Sequence, residues 1–515
     1  VKVRTSTGRP RRVARADAAA SPLEVCRANI NRVVNALEGM GVPYFRVPQQ
    51  QVGRPVLGVP ESWRDRVETL VNVQLAGDGA RVASVKISVG AAKGERMRVV
   101  RVCWPVTDPR GHLVIGDQYA CDIEFWQEQD GQLVAPRSNP SVDVLLADAP
   151  VDEVPDATFD GQWGIGSTSH YRTRRPFLVQ PMGTVDFPID VVYTWVNGAD
   201  PDWLARKSRA LAENGWVSAN RQAANASRFA SRDELRYSMR SLHYYAPWVR
   251  NVFQVTDDQV PEWLNIDNSK LRLVSHREIF GDAGRLPTFN SHAIESRLHR
   301  IPGSAEHFLY RNDDVFFGRP VTPQTFFTSG GNSRLFLSVH RVDSGPPLAD
   351  EPPVVSAGKN NRAVNEREFG RFLKQKTKHT PHAARRSVLE EIERRCPEEV
   401  LGTARRQFRS PADISMMSSL QHYWAYLTNR AVLGDIKYIA DPATPVRLAH
   451  ALQHRNNEVF CLNDTDAEGL PVREQAALLQ EFLPAYYPFR SPYEITSSVA
   501  TGPGSCHTKH AQPSC

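Results

Sequence analysis

Two short runs of β-branched and aromatic residues constrain this chain most, because each stops abruptly at polar residues. Ile189-Asp190-Val191-Val192-Tyr193-Thr194-Trp195-Val196 gives way to Asn197-Gly198-Ala199-Asp200, and Phe308-Leu309-Tyr310-Arg311 gives way to Asn312-Asp313-Asp314. A buried strand that delivers side chains to a site at its C-terminal end has this form. Between the runs the pattern alternates. Asp200 is placed to cap a helix, with Pro201 at its first position and Gly215 at its stop. Ser231-Arg232-Asp233-Glu234 has the form of a capping box and opens a helix to about Tyr245. Residues 249–256 and 271–275 read as strands, and Asn290 leads a helix that Pro302-Gly303 ends. Strands alternating with helices predict a mostly parallel sheet, whose ligands sit beyond the C-terminal strand ends. Asn197, Asp257, Asp258, Asp313 and Asp314 all fall there.

A chain of 515 residues exceeds one hydrophobic core, so several units are expected. Residues 1–20 are basic, with few large apolar side chains, and read as a disordered arm. Residues 21–180 read as a small α+β domain: a helix over 23–37, then strands over 70–75, 82–88, 97–106 and 119–126 in a largely antiparallel sheet. The Pro- and Asp-rich stretch from 150 to 188 reads as a linker. Residues 181–330 form the α/β core. A Gly/Ser/Pro-rich connection at 331–350 opens a helical part that runs to 500, with a flexible tail over 501–515. Helices are expected over 362–374, from Thr380-Pro381 to Pro397, from Ser410-Pro411, and over 472–482. A short strand is expected at 459–462.

Charge and cysteine usage narrow the class. A net charge of +6 is mild for this length and suits phosphorylated or polyanionic ligands. No helix-turn-helix, zinc-finger or RNA-binding signature accompanies it, so nucleic acid is not the expected partner. Seven cysteines, widely spaced and without CxxC, fit a reducing cytoplasm better than a disulfide framework. No run approaches a membrane span, and the expected location is cytoplasmic. The basic arm leaves peripheral association with the inner membrane face open, and a homodimer is equally open.

Three features carry chemistry. Adjacent carboxylates after a strand, Asp313-Asp314, suit a hard divalent cation, Mg2+ or Mn2+, although Asp pairs also cap turns. His382 is placed at the second position of the helix expected after Thr380. There the helix field favours the neutral imidazole that a general base needs, the alternative being a capping or core histidine. Arg409 precedes the expected N-cap Ser410, where a guanidinium beside free helix N–H groups suits phosphate, the alternative being a surface arginine. A cation, a base and an anion clamp are the parts of phosphoryl transfer.

Four segments resemble the four blocks of the Stealth family, which includes bacterial capsular-polysaccharide hexose-1-phosphate transferases and the animal lysosomal-enzyme N-acetylglucosamine-1-phosphotransferase. The first is IDVVYTWVNGADPDW at 189–203. The second runs from Arg232 through LPTFNSHAIESRLHRIPG to YRNDDVFFGRPVTPQTFF. The third spans Asn361, HTPHAARR and FRSPADIS to about Arg430, and the fourth is VFCLND at 459–464. The resemblance implies an α/β, GT-A-like nucleotide-sugar-binding fold. It also implies transfer of sugar-1-phosphate from a UDP-sugar donor to a glycan acceptor, with UMP leaving. By motif it brings together the acidic pair Asp313-Asp314, His382, Arg409 and the pair Asn463-Asp464. On this reading Asp313, Asp314 and Asp464 hold the metal, and His382, Arg409, Asp314 and Arg236 are catalytic. Asn197, Asp190, Asn290, His292 and Asn463 bind substrate. Arg311 stands where members of that family often have Leu or another uncharged residue, a departure that bears only on the details of the donor pocket. The competing expectations are a glycosyltransferase that releases UDP and a non-catalytic glycan-binding protein.

Overall fold

The structure is a computed structural model that describes residues 2–4, 10–12, 14–18, 20–49, 51–85, 98–159, 167–215, 229, 232–348, 350–372, 374–440, 444–462 and 472–495. Its centre is a five-stranded sheet built from both constraining runs. In chain order the elements are β1 (Ile189–Thr194), α1 (Pro201–Glu213), α2 (Glu234–Tyr245), β2 (Val252–Thr256), β3 (Leu271–Ser275), α3 (Ser291–Glu295) and β4 (His307–Arg311). They continue with β5 (Val315–Phe317), β6 (His382–Arg385), α4 (Arg386–Arg395), β7 (Tyr438–Ala440) and β8 (Val459–Cys461). The sheet order is β3-β2-β1-β4-β6. The first four strands are parallel and β6 is an antiparallel edge. Strand order reverses between β1 and β4, and this switch point opens the crevice that such sheets use for ligands. The α/β class expected from the alternation is what the chain forms.

Local chemistry explains most of these elements. Asp200 caps α1 by accepting from the N–H groups of Asp202 and Trp203, with Pro201 at the first position. Helix α2 starts at Glu234 after Asp233, which sits in the left-handed region without a side-chain cap. Ser231 of the expected capping box lies outside the described residues. Beyond β4 the chain turns through Asn312-Asp313-Asp314 into β5, which leaves the main sheet and pairs antiparallel with β8, itself parallel to β7. The acidic turn therefore links two sheets.

The N-terminal unit is a nine-stranded mixed sheet covered by a helix, Pro22–Gly39, whose start is a capping box between Ser21 and Glu24. Six of its eight strand pairings are antiparallel. Several expectations give way here. Residues 70–75 are not a strand but the π-helical continuation of the helix Arg64–Thr69. A short apolar run does not reveal its period, and packing against the neighbouring helical turn decides it. The stretch 150–188 is not merely a linker, because Val151–Pro155 and His170–Arg174 pair at the sheet edge. Within the arm 1–20, Lys2–Arg4 pairs with Pro10–Arg12 and Arg15–Ala16 runs parallel to Val106–Thr107. The tail 501–515 lies outside the described residues.

One core joins the two units. Leu23, Val25, Cys26, Ile115 and Tyr119 pack in the same cluster as Leu235, Tyr244, Tyr245, Trp248 and Tyr487. A second core, on the other face of the sheet, gathers Val192, Phe308, Tyr310, Val388, Met417 and Trp424. No helix among the described residues is long and apolar enough to cross a membrane.

Candidate active site

Strand β6 brings the third block to the second. Tyr310 of β4 stands opposite His382 of β6 in register, and their rings lie 6.2 Å apart at 21°. His382 is therefore a strand residue, not the second residue of a helix. Thr380-Pro381 imitates a helix start, but pairing along β4 claims the segment and the helix begins only at Arg386. The helix-field argument for its neutrality falls away, and burial replaces it. His382 is held well below the usual imidazole range by burial first, then by His422 and His379. Its Nδ1 lies 3.0 Å from His422 Nε2, and His422 is pushed down to about 3 by burial. Both rings are neutral near pH 7. With Nδ1–H donating to His422, Nε2 of His382 keeps its lone pair.

The contacts run on in both directions. Toward the acidic turn, the rings of His382 and His379 are 6.3 Å apart, and His379 Nδ1 lies 3.5 Å from Cys461 Sγ. Cys461 Sγ lies 3.5 Å from Asp314 Oδ2, and Leu462 N donates to Asp314 O at 3.1 Å. The fourth block thus docks on the acidic pair, although Asn463 and Asp464 themselves lie outside the described residues. In the other direction Tyr310 Oη donates to Glu295 Oε1 at 3.4 Å and stands 3.1 Å from Thr194 Oγ1. Glu295 is raised to about 7 by burial, partly offset by Arg409.

Arg409 does not sit at a helix N-terminus, since Ser410-Pro411-Ala412 forms a turn and helical structure starts at Met416. Its Nη2 donates to Ser291 Oγ at 2.5 Å. The loop that carries it is fixed from below. Asn290 caps α3 through His292 N at 3.1 Å and donates to Asp413 Oδ2 at 2.8 Å and to the carbonyls of Arg406 and Phe408. His292 Nδ1 lies 3.6 Å from the same Asp413 carboxylate. Asn290 and His292, expected to face substrate, are buried and spend these contacts on holding the Arg409 loop.

Other expected residues are placed elsewhere. Asp190 is wholly buried at the N-terminal end of β1, the end away from the crevice, where Arg250, Asn251 and Ala305 satisfy it. Arg236 pairs with Glu494 at 2.7 Å and lies over Trp263. Burial opposes the charge on Glu494, but Arg240 and Arg236 together hold it at about 2. Arg236 is thus committed to the C-terminal segment rather than to the acidic turn. Asn197 does stand at the C-terminal edge of β1, where Gln259 bridges its backbone and its Oδ1 accepts from Ala199 N. Gly198 is forced there, because a Cβ would meet Phe229 O at 2.2 Å. Arg311 is buried between Tyr193 and Phe317, with Nη2 donating to Val315 O at 2.7 Å. It braces the acidic turn from below. Glu295, His422 and Cys461 are the residues that sequence reasoning missed. Cys461 falls inside the fourth block, and Glu295 sits three residues after His292 within the second, where the motif alone could have raised it.

The acidic turn fits a hard divalent cation. Asp313 is held well above the usual carboxylate range by burial, then by the negative charge of Asp314 and Glu234. Among the described residues no Lys or Arg forms an ion pair with Asp313 or Asp314, and Asp314 Oδ1 is buried without a hydrogen-bond partner. Carboxylates gathered without a counter-charge are costly, and a cation removes that cost.

The four conserved regions described as Stealth protein CR1 to CR4 match in order at residues 187–215, 228–335, 378–426 and 449–501. The exopolysaccharide phosphotransferase SCO6023 of Streptomyces coelicolor is 45% identical, over 93% of this chain and 84% of that protein. Exopolysaccharide phosphotransferase CpsY of Mycobacterium leprae is 32% identical, over 94% of this chain and 89% of that protein. A crystal structure of the galactosyltransferase LgtC with donor and acceptor sugar analogs covers 57% of this chain and 96% of that one at 10% identity. Its TM-score is 0.30, a likeness too slight to argue from. Matches of this extent across nearly the whole length place the chain in the Stealth family.

Proposed function

We propose that this chain moves sugar-1-phosphate, N-acetylglucosamine-1-phosphate or another hexose-1-phosphate, from a UDP-sugar to a hydroxyl of a glycan. A phosphodiester forms and UMP leaves, in capsular or cell-surface polysaccharide synthesis. The observation that carries the reading is the pairing of Tyr310 with His382, which sets the third block's imidazole beside the strand that ends in the acidic pair. The names of the relatives, exopolysaccharide phosphotransferases, agree with it.

His382 Nε2 accepts the proton of the acceptor hydroxyl as its oxygen attacks the sugar-bearing phosphorus, while His422 steadies Nδ1. Arg409, charge-balanced by nearby Glu295 and anchored on Ser291, stabilises the phosphoryl oxygens. Asp313 and Asp314 would hold Mg2+ or Mn2+, with Asp464 assigned to the set by motif alone, and the ion would supply charge neutralisation on the diphosphate. Asn197 lines the crevice from the β1 side. Arg236, Asp190, Asn290 and His292 are engaged by Glu494, Arg250 and Asp413 and support the fold around this machinery. On this reading the chain acts in the cytoplasm, where UDP-sugars are the donors at hand.

The test is the nucleotide product across a panel of UDP-sugars with a glycan acceptor and Mg2+. UMP supports the proposal. UDP makes the chain a glycosyltransferase, and no consumption of any donor makes it a glycan-binding protein.

A further inference from the structure

Two donor atoms beside the acidic pair, on His379 and Cys461, have no part in the reaction above, and both converge on Asp314. Asp314 Oδ2, His379 Nδ1 and Cys461 Sγ come from three elements: the turn after β4, the segment before β6 and the end of β8. All three atoms lie within 4.8 Å of one another, and the sulfur is 3.5 Å from each of the other two. Ligands around one tetrahedral ion have this spacing. With metal–sulfur near 2.3 Å and metal–nitrogen and metal–oxygen near 2.0 Å, sulfur stands roughly 3.5 Å from its neighbours. A thiol is a weak hydrogen-bond donor and by itself gives an imidazole and a carboxylate little reason to converge on it.

Two further observations point to an ion. Asp314 keeps a buried oxygen, Oδ1, without a hydrogen-bond partner. On the far side of the His379 ring, Nε2 lies 3.1 Å from the Asn312 amide. A metal-ligating histidine characteristically engages its other nitrogen in such a contact, which fixes the ring. With Asn312 Nδ2 donating to Nε2, the ring proton sits on Nδ1. Loading a metal at Nδ1 moves that proton to Nε2 and turns the amide so that its oxygen accepts.

We propose that Asp314, His379 and Cys461 are three ligands of a transition-metal site with an open fourth position. One sulfur, one nitrogen and one oxygen donor select an ion of the zinc class rather than Mg2+. Binding converts the Cys461 thiol to thiolate and releases one proton to solvent. The site stands on this geometry and not on the proposed reaction. It makes Asp314 common to two kinds of metal chemistry, a hard one with Asp313 and a softer one with Cys461.

The experiment is titration of the chelator-treated full chain with Co2+ under reducing conditions, followed by absorption. One equivalent is expected to produce thiolate-to-cobalt charge transfer in the near ultraviolet together with the visible bands of a tetrahedral centre. Zn2+ bleaches both and excess Mg2+ does not. Cys461→Ser removes the charge-transfer band, and His379→Ala weakens Co2+ binding at least tenfold. Cys121→Ser, a buried thiol in the N-terminal sheet, keeps the band. If Cys461→Ser melts early, His379→Asn carries the test in its place. A missing band, or one that survives Cys461→Ser, overturns the site. UMP release with Mg2+ from a chain that shows no band would overturn this site alone and leave the reaction standing. A cobalt band from a chain that releases UDP would do the reverse.

Discussion

Asp190 lies at the start of β1, and Asp313 and Asp314 lie just past the end of its parallel neighbour β4, so one pair of strands carries acid at both ends. The two ends treat it differently. Asp190 receives Arg250 Nε at 2.8 Å and Nη2 at 2.6 Å, with the N–H groups of Asn251 at 3.2 Å and Ala305 at 2.6 Å. Every oxygen is satisfied, as the interior demands. At the opposite end Asp313, Asp314 and Glu234 face one another, and Asp314 Oδ1 has no partner. The same residue type is spent where its charge is met by the fold and left available where the fold leaves the charge to be met by something else.

The comparison breaks most decisively at Asp314. Asp314→Asn is expected to lower kcat about 10³-fold or more, because a metal-holding carboxylate supplies several kcal/mol of transition-state stabilisation. The melting temperature should hold or rise, since one of several repelling charges is gone. Loss of stability in that variant would mean the acidic turn is structural after all. Next comes His382→Ala, expected to cut turnover by about 10²–10⁴-fold while donor binding, read by calorimetry, persists. Full activity would remove the imidazole from the chemistry. At the satisfied end Asp190→Ala should cost roughly 2–4 kcal/mol in denaturant unfolding, because the N–H groups of Asn251 and Ala305 lose their acceptor while the half-exposed Arg250 turns to solvent. Turnover per folded molecule should be unchanged, and a fall in kcat without a fall in stability would return Asp190 to the site.

The smallest effect concerns Glu295, whose folded value of about 7 exceeds the ordinary 4.5. The folded state then holds a proton that the unfolded chain has released between those values. Its contribution to stability is complete below pH 4.5 and is lost as pH rises through 7. Glu295→Gln should flatten the stability profile across that window by a few kcal/mol at most. An unchanged slope would place the titrating group elsewhere.

The residues that were legible from sequence and those that were not differ in the range of the forces that place them. Asp200-Pro201 and the capping box at Ser21 and Glu24 act within one helical turn, and both caps form. Runs that end in polar residues located β1 and β4, with the acidic turn between β4 and β5. The motif singles out His382 as a candidate, but its local signal, Thr380-Pro381, argues for a helix that long-range pairing with β4 overrides. Arg236 looked available because its partner, Glu494, lies 258 residues away. Asn290 and His292 looked substrate-facing because nothing nearby in sequence announces Asp413. Glu295 lies inside the second block, but its raised proton affinity has no local signal, since that comes from burial beside Tyr310 and Arg409.

The core shared by the helix Pro22–Gly39 and α2 has a practical corollary for anyone wishing to express the transferase portion by itself. A fragment starting near residue 181 would strip Leu23, Val25, Cys26, Ile115 and Tyr119 from Tyr244, Tyr245 and Tyr487. The exposed aromatic wall would precipitate or recruit chaperones. The amino-terminal sheet is therefore best regarded as a built-in brace, and recombinant work should retain it from Ala20 onward.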